Sequence, residues 1–288
     1  MEKRRYREGV DLSIVGFGGM TLVGMEQRDC DEIVAESVEA GVNYFDVAPS
    51  YGSGEAEVKL GHALAPFRRK AFLAGKTFAR DAAGAGRELE QSLRRLRTEC
   101  LDLYQFHALM NSSEIERIFG AGGAAEAVSR AREQGKVRFI GFSAHSVEAA
   151  LAMMDRMTFD SVLFPVNFVL YSRADFGPQV LERARQLNVA RMAVKAMALS
   201  PRSRHEEREY PNCWYRPVGD QELARQALRF TLSEDVTAVL PPGDPGLFRT
   251  ALRFAKDFTP MSSSERTGLL ESASGAEPLF RTRRGKTS

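Results

Sequence analysis

The feature that most constrains this fold is a regular alternation between short apolar runs and amphipathic stretches. Short runs rich in β-branched and aromatic residues predict β-strands, and a stretch with helical periodicity follows each of them. Eight strands are predicted, at residues 14–17, 42–46, 71–75, 101–106, 137–142, 161–164, 189–194 and 236–240. Strict alternation of strand and helix predicts parallel strands, because a connection between parallel strands needs a long crossover.

Eight strand–helix units within 288 residues favour a closed barrel over an open sheet. Barrels of roughly 250 residues fold as one domain, and closure removes the sheet edges. The Glu8-Gly9 turn predicts a small hairpin before the barrel. The predicted fold class is therefore α/β, a (β/α)8 TIM barrel with an N-terminal β-hairpin. Residues 1–288 are expected to form one domain with a flexible tail from about residue 273.

The main rival is a Rossmann-type sheet. It is disfavoured because the loop Gly16-Phe17-Gly18-Gly19 lacks the full GxGxxG pattern and no second domain is visible. A polar, irregular stretch at residues 200–219 is the longest predicted loop. The predicted helices cover residues 29–40, 55–64, 86–96, 123–134, 147–154, 177–187, 220–233, 246–255 and 263–272.

Charge and cysteine usage exclude several classes of function. A net charge of +2 implies no strong attraction to nucleic acid or to a membrane surface, and no stretch reaches the roughly 18 apolar residues of a membrane span. Three widely spaced cysteines argue against a disulfide framework, and the four histidines lack metal-binding spacing. We expect a cytoplasmic protein without a metal. The oligomeric state stays open.

Ionisable and polar residues occur at the predicted ends of four successive strands. Asp46, Lys76, His107 and Ser143 end the second to fifth strands, and Tyr51 follows in the loop after Asp46. Each has an ordinary structural explanation alone, as a cap, a surface residue or a packing residue. In a barrel the carboxyl ends of the strands form the active site, so adjacent strands would bring these side chains together.

The residue types suit reduction of a carbonyl group. Hydride addition places negative charge on the carbonyl oxygen, which requires a proton donor and aimed dipoles. We expect Tyr51 to be the acid, with its pKa lowered by Lys76, and Asp46 to be the counter-charge of Lys76. A neutral His107 would orient the carbonyl, and a cofactor must supply the hydride.

These residues lie within motifs that resemble the aldo-keto reductase superfamily over nearly the whole chain. The matching motifs are Asn43-Tyr44-Phe45-Asp46, Ser50-Tyr51-Gly52, Glu55, Leu60-Gly61, Lys76 and Asp102-Leu103-Tyr104-Gln105-Phe106-His107. The resemblance implies a (β/α)8 barrel and NAD(P)H-dependent reduction of aldehydes or ketones without metal or flavin. It also implies that Asp46, Tyr51, Lys76 and His107 are the catalytic tetrad.

For the cofactor contacts, some positions match the family pattern and others depart from it. Gly19 and Met20 correspond to the loop beside the nicotinamide, and Ser143 to the serine that binds its carboxamide. Asn usually follows that serine, whereas this chain has Ala144-His145.

Three further positions concern the cofactor. Phe164 replaces the usual Gln, with Asn167 as a nearby polar substitute. Val194 replaces the usual stacking aromatic. Lys195 follows it and would either reach the pyrophosphate or be solvated.

Pro241-Pro242-Gly243 resembles the loop that meets the adenosine phosphates, where amides at a helix start bind phosphate. The familiar Lys-Ser that favours a 2′-phosphate is missing, and Arg249 is a candidate contact instead. The expected cofactor is NADPH, with NADH possible.

The expected substrate is a small or polar carbonyl compound. Trp214 and Tyr215 would line or cover its pocket, or else belong to a surface loop, and Arg202 and Arg204 are candidate anion contacts. Two other functions stay open. One is a cofactor-binding, redox-sensing regulatory subunit, and the other is a barrel isomerase or hydrolase without cofactor.

Overall fold

The fold is described from a computed structural model, which covers residues 1–203 and 205–282. The predicted anion contact of Arg204 and the predicted flexibility of residues 283–288 lie outside the described residues. Strands and helices are numbered in chain order. The N-terminal hairpin consists of β1 (Lys3–Arg7) and β2 (Val10–Ser13), which pair antiparallel.

Eight parallel strands follow one another around a single sheet. They are β3 (Phe17–Gly18), β4 (Tyr44–Asp46), β5 (Phe72–Thr77), β6 (Leu101–Leu109), β7 (Val137–Ala144), β8 (Ser161–Pro165), β9 (Ala190–Val194) and β12 (Ala238–Leu240).

A short seam joins the first barrel strand to the last. Val15 forms a parallel bridge with Val239. The amide of Gly16 donates to the carbonyl of Val239 at 2.9 Å, and the amide of Val239 donates to the carbonyl of Ile14 at 2.8 Å. The predicted (β/α)8 barrel with an N-terminal hairpin is therefore confirmed.

Helices lie between the barrel strands, as the alternation predicts. They are α1 (Gln27–Glu39), α2 (Glu55–Ala63), α3 (Ala82–Arg95), α4 (Ser112–Phe119), α5 (Ala124–Glu133), α6 (Val147–Arg156), α7 (Phe168–Ala174), α8 (Pro178–Gln186), α9 (Gln221–Ser233), α10 (Pro245–Lys256) and α11 (Ser263–Ser272).

The sequence-based assignment omitted α4 and α7. Asn111 and Glu114 form a reciprocal capping box at the start of α4, and this pattern was a usable signal in the sequence. Asn167 caps α7 by accepting a hydrogen bond from the amide of Leu170.

Apolar side chains fill both sides of the barrel wall. Alternate strand residues point inward, because successive side chains of a strand face opposite sides. Tyr44, Phe72, Leu103 and Met192 belong to this inner cluster. Tyr6 extends the cluster from the hairpin, and its hydroxyl donates to Ser161 Oγ at 3.1 Å. The hairpin thereby contributes to the barrel interior.

The predicted loop at 200–219 is wrong in part. β10 (Ala198–Pro201) and β11 (Tyr215–Pro217) pair antiparallel, so strand residues occupy part of the predicted loop. That the tail from about residue 273 is flexible stays a prediction. Ala273 is buried, and the ring of Phe280 stacks on His145 with centroids 5.1 Å apart.

None of the helices in the described ranges is long and apolar enough to cross a membrane. That the chain forms a single domain stays a prediction.

Candidate active site

A cavity of about 190 Å3 opens at the carboxyl end of the barrel strands. It brings together most of the side chains that the sequence singled out. Its lining consists of Gly18, Met20, Asp46, Tyr51, Lys76, His107, Ser143, His145, Leu163, Val194, Lys195, Asn212, Trp214, Tyr215, Leu240, Pro241 and Gly243.

Strand periodicity places three polar residues on the inner side of the barrel wall. Tyr44, Ala74 and Leu103 face the barrel interior. Two residues further along β4, β5 and β6 are Asp46, Lys76 and Gln105, which therefore face the same side.

A buried hydrogen-bonded chain links the acid, the amine and the phenol. The Lys76 side chain is 1% exposed and forms an ion pair with Asp46. Lys76 Nζ also donates to Tyr51 Oη at 3.1 Å. The predicted neighbours are thus in direct contact, with Lys76 between the carboxylate and the phenol.

Asp46 is held in place by two further donors. Gln105 Nε2 donates to Asp46 Oδ2 at 2.9 Å, and the Tyr44 hydroxyl donates to the same oxygen at 3.3 Å. All three side chains are buried. Gln105 had no role of its own in the sequence analysis, although a polar residue at an inward position of a strand was an available signal.

The direction of the Tyr51 pKa differs from the expected one. Burial raises the pKa of Tyr51 above its ordinary value, and the Lys76 ammonium offsets this only in part. Burial also lowers the pKa of Lys76, but Asp46 and Tyr51 outweigh it, so the net pKa is raised. Tyr51 is therefore protonated and Lys76 charged at neutral pH.

His107 is neutral and lies beside the phenol. Burial, followed by the charges of Lys76 and Arg80, keeps the pKa of His107 well below its usual range. The rings of His107 and Tyr51 meet edge to face with centroids 5.9 Å apart. Arg80 donates to the backbone carbonyl of His107 at 2.7 Å, which fixes this part of β6.

Ser143 supports the same corner of the cavity. Its Oγ accepts a hydrogen bond from the amide of Ala108 at 2.8 Å. Ala108 has a φ of 55°, which a residue with a Cβ rarely adopts. The Ser143 hydroxyl hydrogen is left to donate elsewhere, which suits the predicted carboxamide contact.

The loops after the first and last barrel strands meet beside the cavity. A Cβ on Gly243 would lie 2.7 Å from Met20 Cγ, so this contact requires glycine. Met20 and Gly243 line the cavity, whereas the neighbouring Gly19 and Pro242 do not. The Asn212 side chain donates to the carbonyl of Met20 at 3.2 Å and attaches the 202–214 segment to this loop.

Lys195, Trp214 and Tyr215 form a second cluster in the cavity lining. Lys195 Nζ lies 4.3 Å from the Tyr215 ring centroid and 5.1 Å from that of Trp214. Trp214 is 49% exposed and stands at the rim. The segment that carries the two aromatic residues therefore reaches the cavity.

His145 is a cavity residue that the candidate set omitted. Its Nδ1 is buried without a hydrogen-bond partner, and burial lowers its pKa to about 3. The departure from Asn directly after Ser143, where this chain has Ala144-His145, was the available signal in the sequence.

Three residues that were predicted to contact the cofactor or an anion do not line the cavity. Asn167 Nδ2 donates to the carbonyls of Lys195 and Ala198, and its Oδ1 caps α7, so its amide is committed to the backbone. Arg249 pairs with Glu36 at 2.8 Å on the surface. Arg202 donates to the carbonyl of Glu206 at 2.5 Å.

A larger groove of about 730 Å3 lies between α9, α10 and α11, away from these residues. Within residues 1–203 and 205–282, no three potential metal ligands lie together.

Comparison with known proteins agrees with this geometry. The aldo/keto reductase family model matches residues 14–241. The aldo-keto reductase YhdN of Bacillus subtilis is 30% identical over 157 residues, which cover 49% of this chain and 46% of that protein. The chain thus spans about half the length of the curated relatives it matches.

Two solved structures share the fold over nearly the whole chain. The holo form of an aldo-keto reductase from Bacillus halodurans has a TM-score of 0.76 at 22% identity, covering 97% of this chain and 98% of that one. An aldo-keto reductase from Klebsiella pneumoniae in complex with NADPH has a TM-score of 0.74 at 19% identity, covering 98% and 99%. The family model covers most of the chain, and the chain therefore belongs to the aldo/keto reductase family.

Proposed function

We propose that this protein is an oxidoreductase that reduces an aldehyde or ketone to an alcohol with NADPH. The observation that carries the proposal is the buried chain Asp46–Lys76–Tyr51 beside a neutral His107 at one cavity. Family membership and an NADPH-bound structural neighbour support the choice of cofactor.

The residues around the cavity fit a nicotinamide cofactor. The Ser143 hydroxyl can donate to a carboxamide, and the close contact of Met20 with Gly243 forms one wall of the opening. When bound, NADPH supplies a hydride to the carbonyl carbon. Lys195 is a candidate contact for an anionic group, as the sequence suggests.

Tyr51 acts as the proton donor. Because its pKa is raised, its hydroxyl carries a proton at neutral pH and can give it to the carbonyl oxygen. Lys76 stabilises the phenolate that is left, and Asp46 keeps Lys76 charged. Neutral His107 donates an N–H to the carbonyl oxygen and orients it.

The test is oxidation of NADPH with 4-nitrobenzaldehyde. Tyr51→Phe removes only the donor, and we expect turnover to fall about a hundredfold to ten-thousandfold. Tyr104→Phe is the control, because Tyr104 is buried outside the cavity lining. Equal turnover in Tyr51→Phe and the wild type would refute the role of Tyr51.

A redox-sensing, cofactor-binding subunit is the second candidate. It is favoured by the commitment of the Asn167 amide to the backbone, which removes one expected nicotinamide contact. Tight NADPH binding with negligible turnover across a broad panel of carbonyl compounds would support it. Ready turnover would exclude it as the main function.

A further inference from the structure

We infer that Lys195 forms an anion subsite of the cavity and selects carbonyl substrates that carry a carboxylate. The inference rests on the proposed function and adds a substrate class to it.

The two lysines of the cavity differ in their partners. Lys76 has Asp46 as its counter-charge. The Lys195 ammonium has no carboxylate within 4.0 Å among residues 1–203 and 205–282, and it lies against the faces of Trp214 and Tyr215 instead. Aromatic faces attract a cation but do not neutralise it. An anionic ligand would complete this site.

The cavity as a whole is positive. Asp46 is the one carboxylate in its lining, and Lys76 and Lys195 are the two ammonium groups. One negative and two positive charges leave a net charge of +1, since His107 and His145 have lowered pKa values and are neutral. Burial lowers the pKa of Lys195 to about 8, so it is still charged at pH 7.

The backbone directs Lys195 towards the cavity. Its φ is 68°, in the left-handed region that a long side chain rarely adopts. Its carbonyl accepts hydrogen bonds from Asn167 Nδ2 and from the amide of Ala198, both at 3.0 Å. A strained conformation held by surrounding bonds is typical of functional positions.

Lys195 lines the same cavity as the proton donor. Burial and then the charge of Lys195 lower the pKa of His145, which lines the cavity together with His107. His107 adjoins Tyr51. Because Tyr51, His107 and Lys195 line one cavity, a substrate whose carbonyl meets Tyr51 can place a carboxylate at Lys195.

The first experiment compares matched aldehydes. We expect kcat/KM for 3- or 4-carboxybenzaldehyde to exceed that of the corresponding nitrobenzaldehyde, and Lys195→Met to lower only the former, by about tenfold or more. Lys195→Arg should retain the preference. Lys136→Met, which removes a lysine paired with Glu90 far from the cavity lining, is the control.

The second experiment does not depend on turnover. Trp214 is the single tryptophan, and its ring is 5.1 Å from Lys195 Nζ, so its fluorescence reports on this subsite. We expect 4-(hydroxymethyl)benzoate to bind at least tenfold more tightly than 4-(hydroxymethyl)benzamide, and Lys195→Met to abolish the difference.

The outcomes distinguish the proposed reduction from the anion subsite. No turnover of any aldehyde, with the benzoate preference intact, would refute the proposed reduction and leave the anion subsite. Equal handling of carboxylated and neutral compounds would refute the subsite alone. If Lys195→Met weakens NADPH binding tenfold and leaves carboxylate preference unchanged, Lys195 binds cofactor phosphate and the inference is wrong.

Discussion

Replacing Lys76 by methionine tests the buried ion pair directly. The substitution keeps an unbranched side chain of similar length but leaves the Asp46 carboxylate without its counter-charge in a site that is about 2% exposed. Breaking a buried pair in this way costs about 3–5 kcal/mol in the free energy of unfolding. Gln105 and Tyr44 still donate to Asp46, so we expect a value near the lower end, about 3 kcal/mol.

The assay is thermal unfolding followed by circular dichroism at pH 7. A loss of about 3 kcal/mol corresponds to a fall in Tm of about 5 °C in a chain of 288 residues. Lys136→Met is the matched control, because its pair with Glu90 is 37% and 46% exposed and pairs of this kind contribute at most about 1 kcal/mol.

A double variant separates stability from chemistry. Asp46→Asn combined with Lys76→Met removes both charges, and we expect most of the lost stability to return while activity stays absent. Equal Tm values for Lys76→Met and Lys136→Met would refute the reasoning. So would a double variant that is less stable than Lys76→Met alone.

Three further predictions concern neighbouring groups. Gln105→Leu removes the hydrogen bond to charged Asp46 and should lower the free energy of unfolding by about 1.5–3 kcal/mol in urea titrations; an unchanged midpoint would contradict this. Glu36→Gln releases Arg249 and should tighten binding of NADPH but not NADH in calorimetry, whereas an equal effect on both would exclude a 2′-phosphate contact. The pKa of His145 is about 3 in the folded chain. Below about pH 6.5 the imidazole therefore binds a proton in the unfolded chain but not in the folded chain, and the free energy of unfolding falls as pH falls. Between pH 7 and 5 this group removes up to about 2 kcal/mol, and His145→Gln should flatten the dependence; superimposable Tm–pH curves would contradict it.

The sequence predicted the barrel and the proximity of Asp46 to Lys76, because both depend on local periodicity, and Tyr51 follows Asp46 closely in the chain. Alternation of strand and helix places the carboxyl ends of all the strands at one face of the barrel. The residues at the ends of adjacent strands are then neighbours. Asp46, Lys76 and His107 follow from that rule without any knowledge of packing.

The remaining features depend on long-range packing. The pKa of Tyr51 reflects a balance between burial and one ammonium, and a sequence gives the charge but not the burial. Asn167 follows β8 and carries an amide that could contact a nicotinamide. In the structure this amide donates to the carbonyl of Lys195 in the turn after β9. His145 gains its stacking partner from Phe280, far along the chain, and the pairing of β10 with β11 spans a polar segment without strand alternation.

The contacts that close the barrel lie next to the loops that would hold a cofactor. Val15 and Val239 join the first and last barrel strands, and the loops that follow these strands carry Met20 and Gly243. A cofactor held between those loops would bridge the two edges of the sheet. Its binding free energy would then oppose local opening of the seam, and amide hydrogen exchange at Gly16 and Val239 would slow in proportion to cofactor saturation.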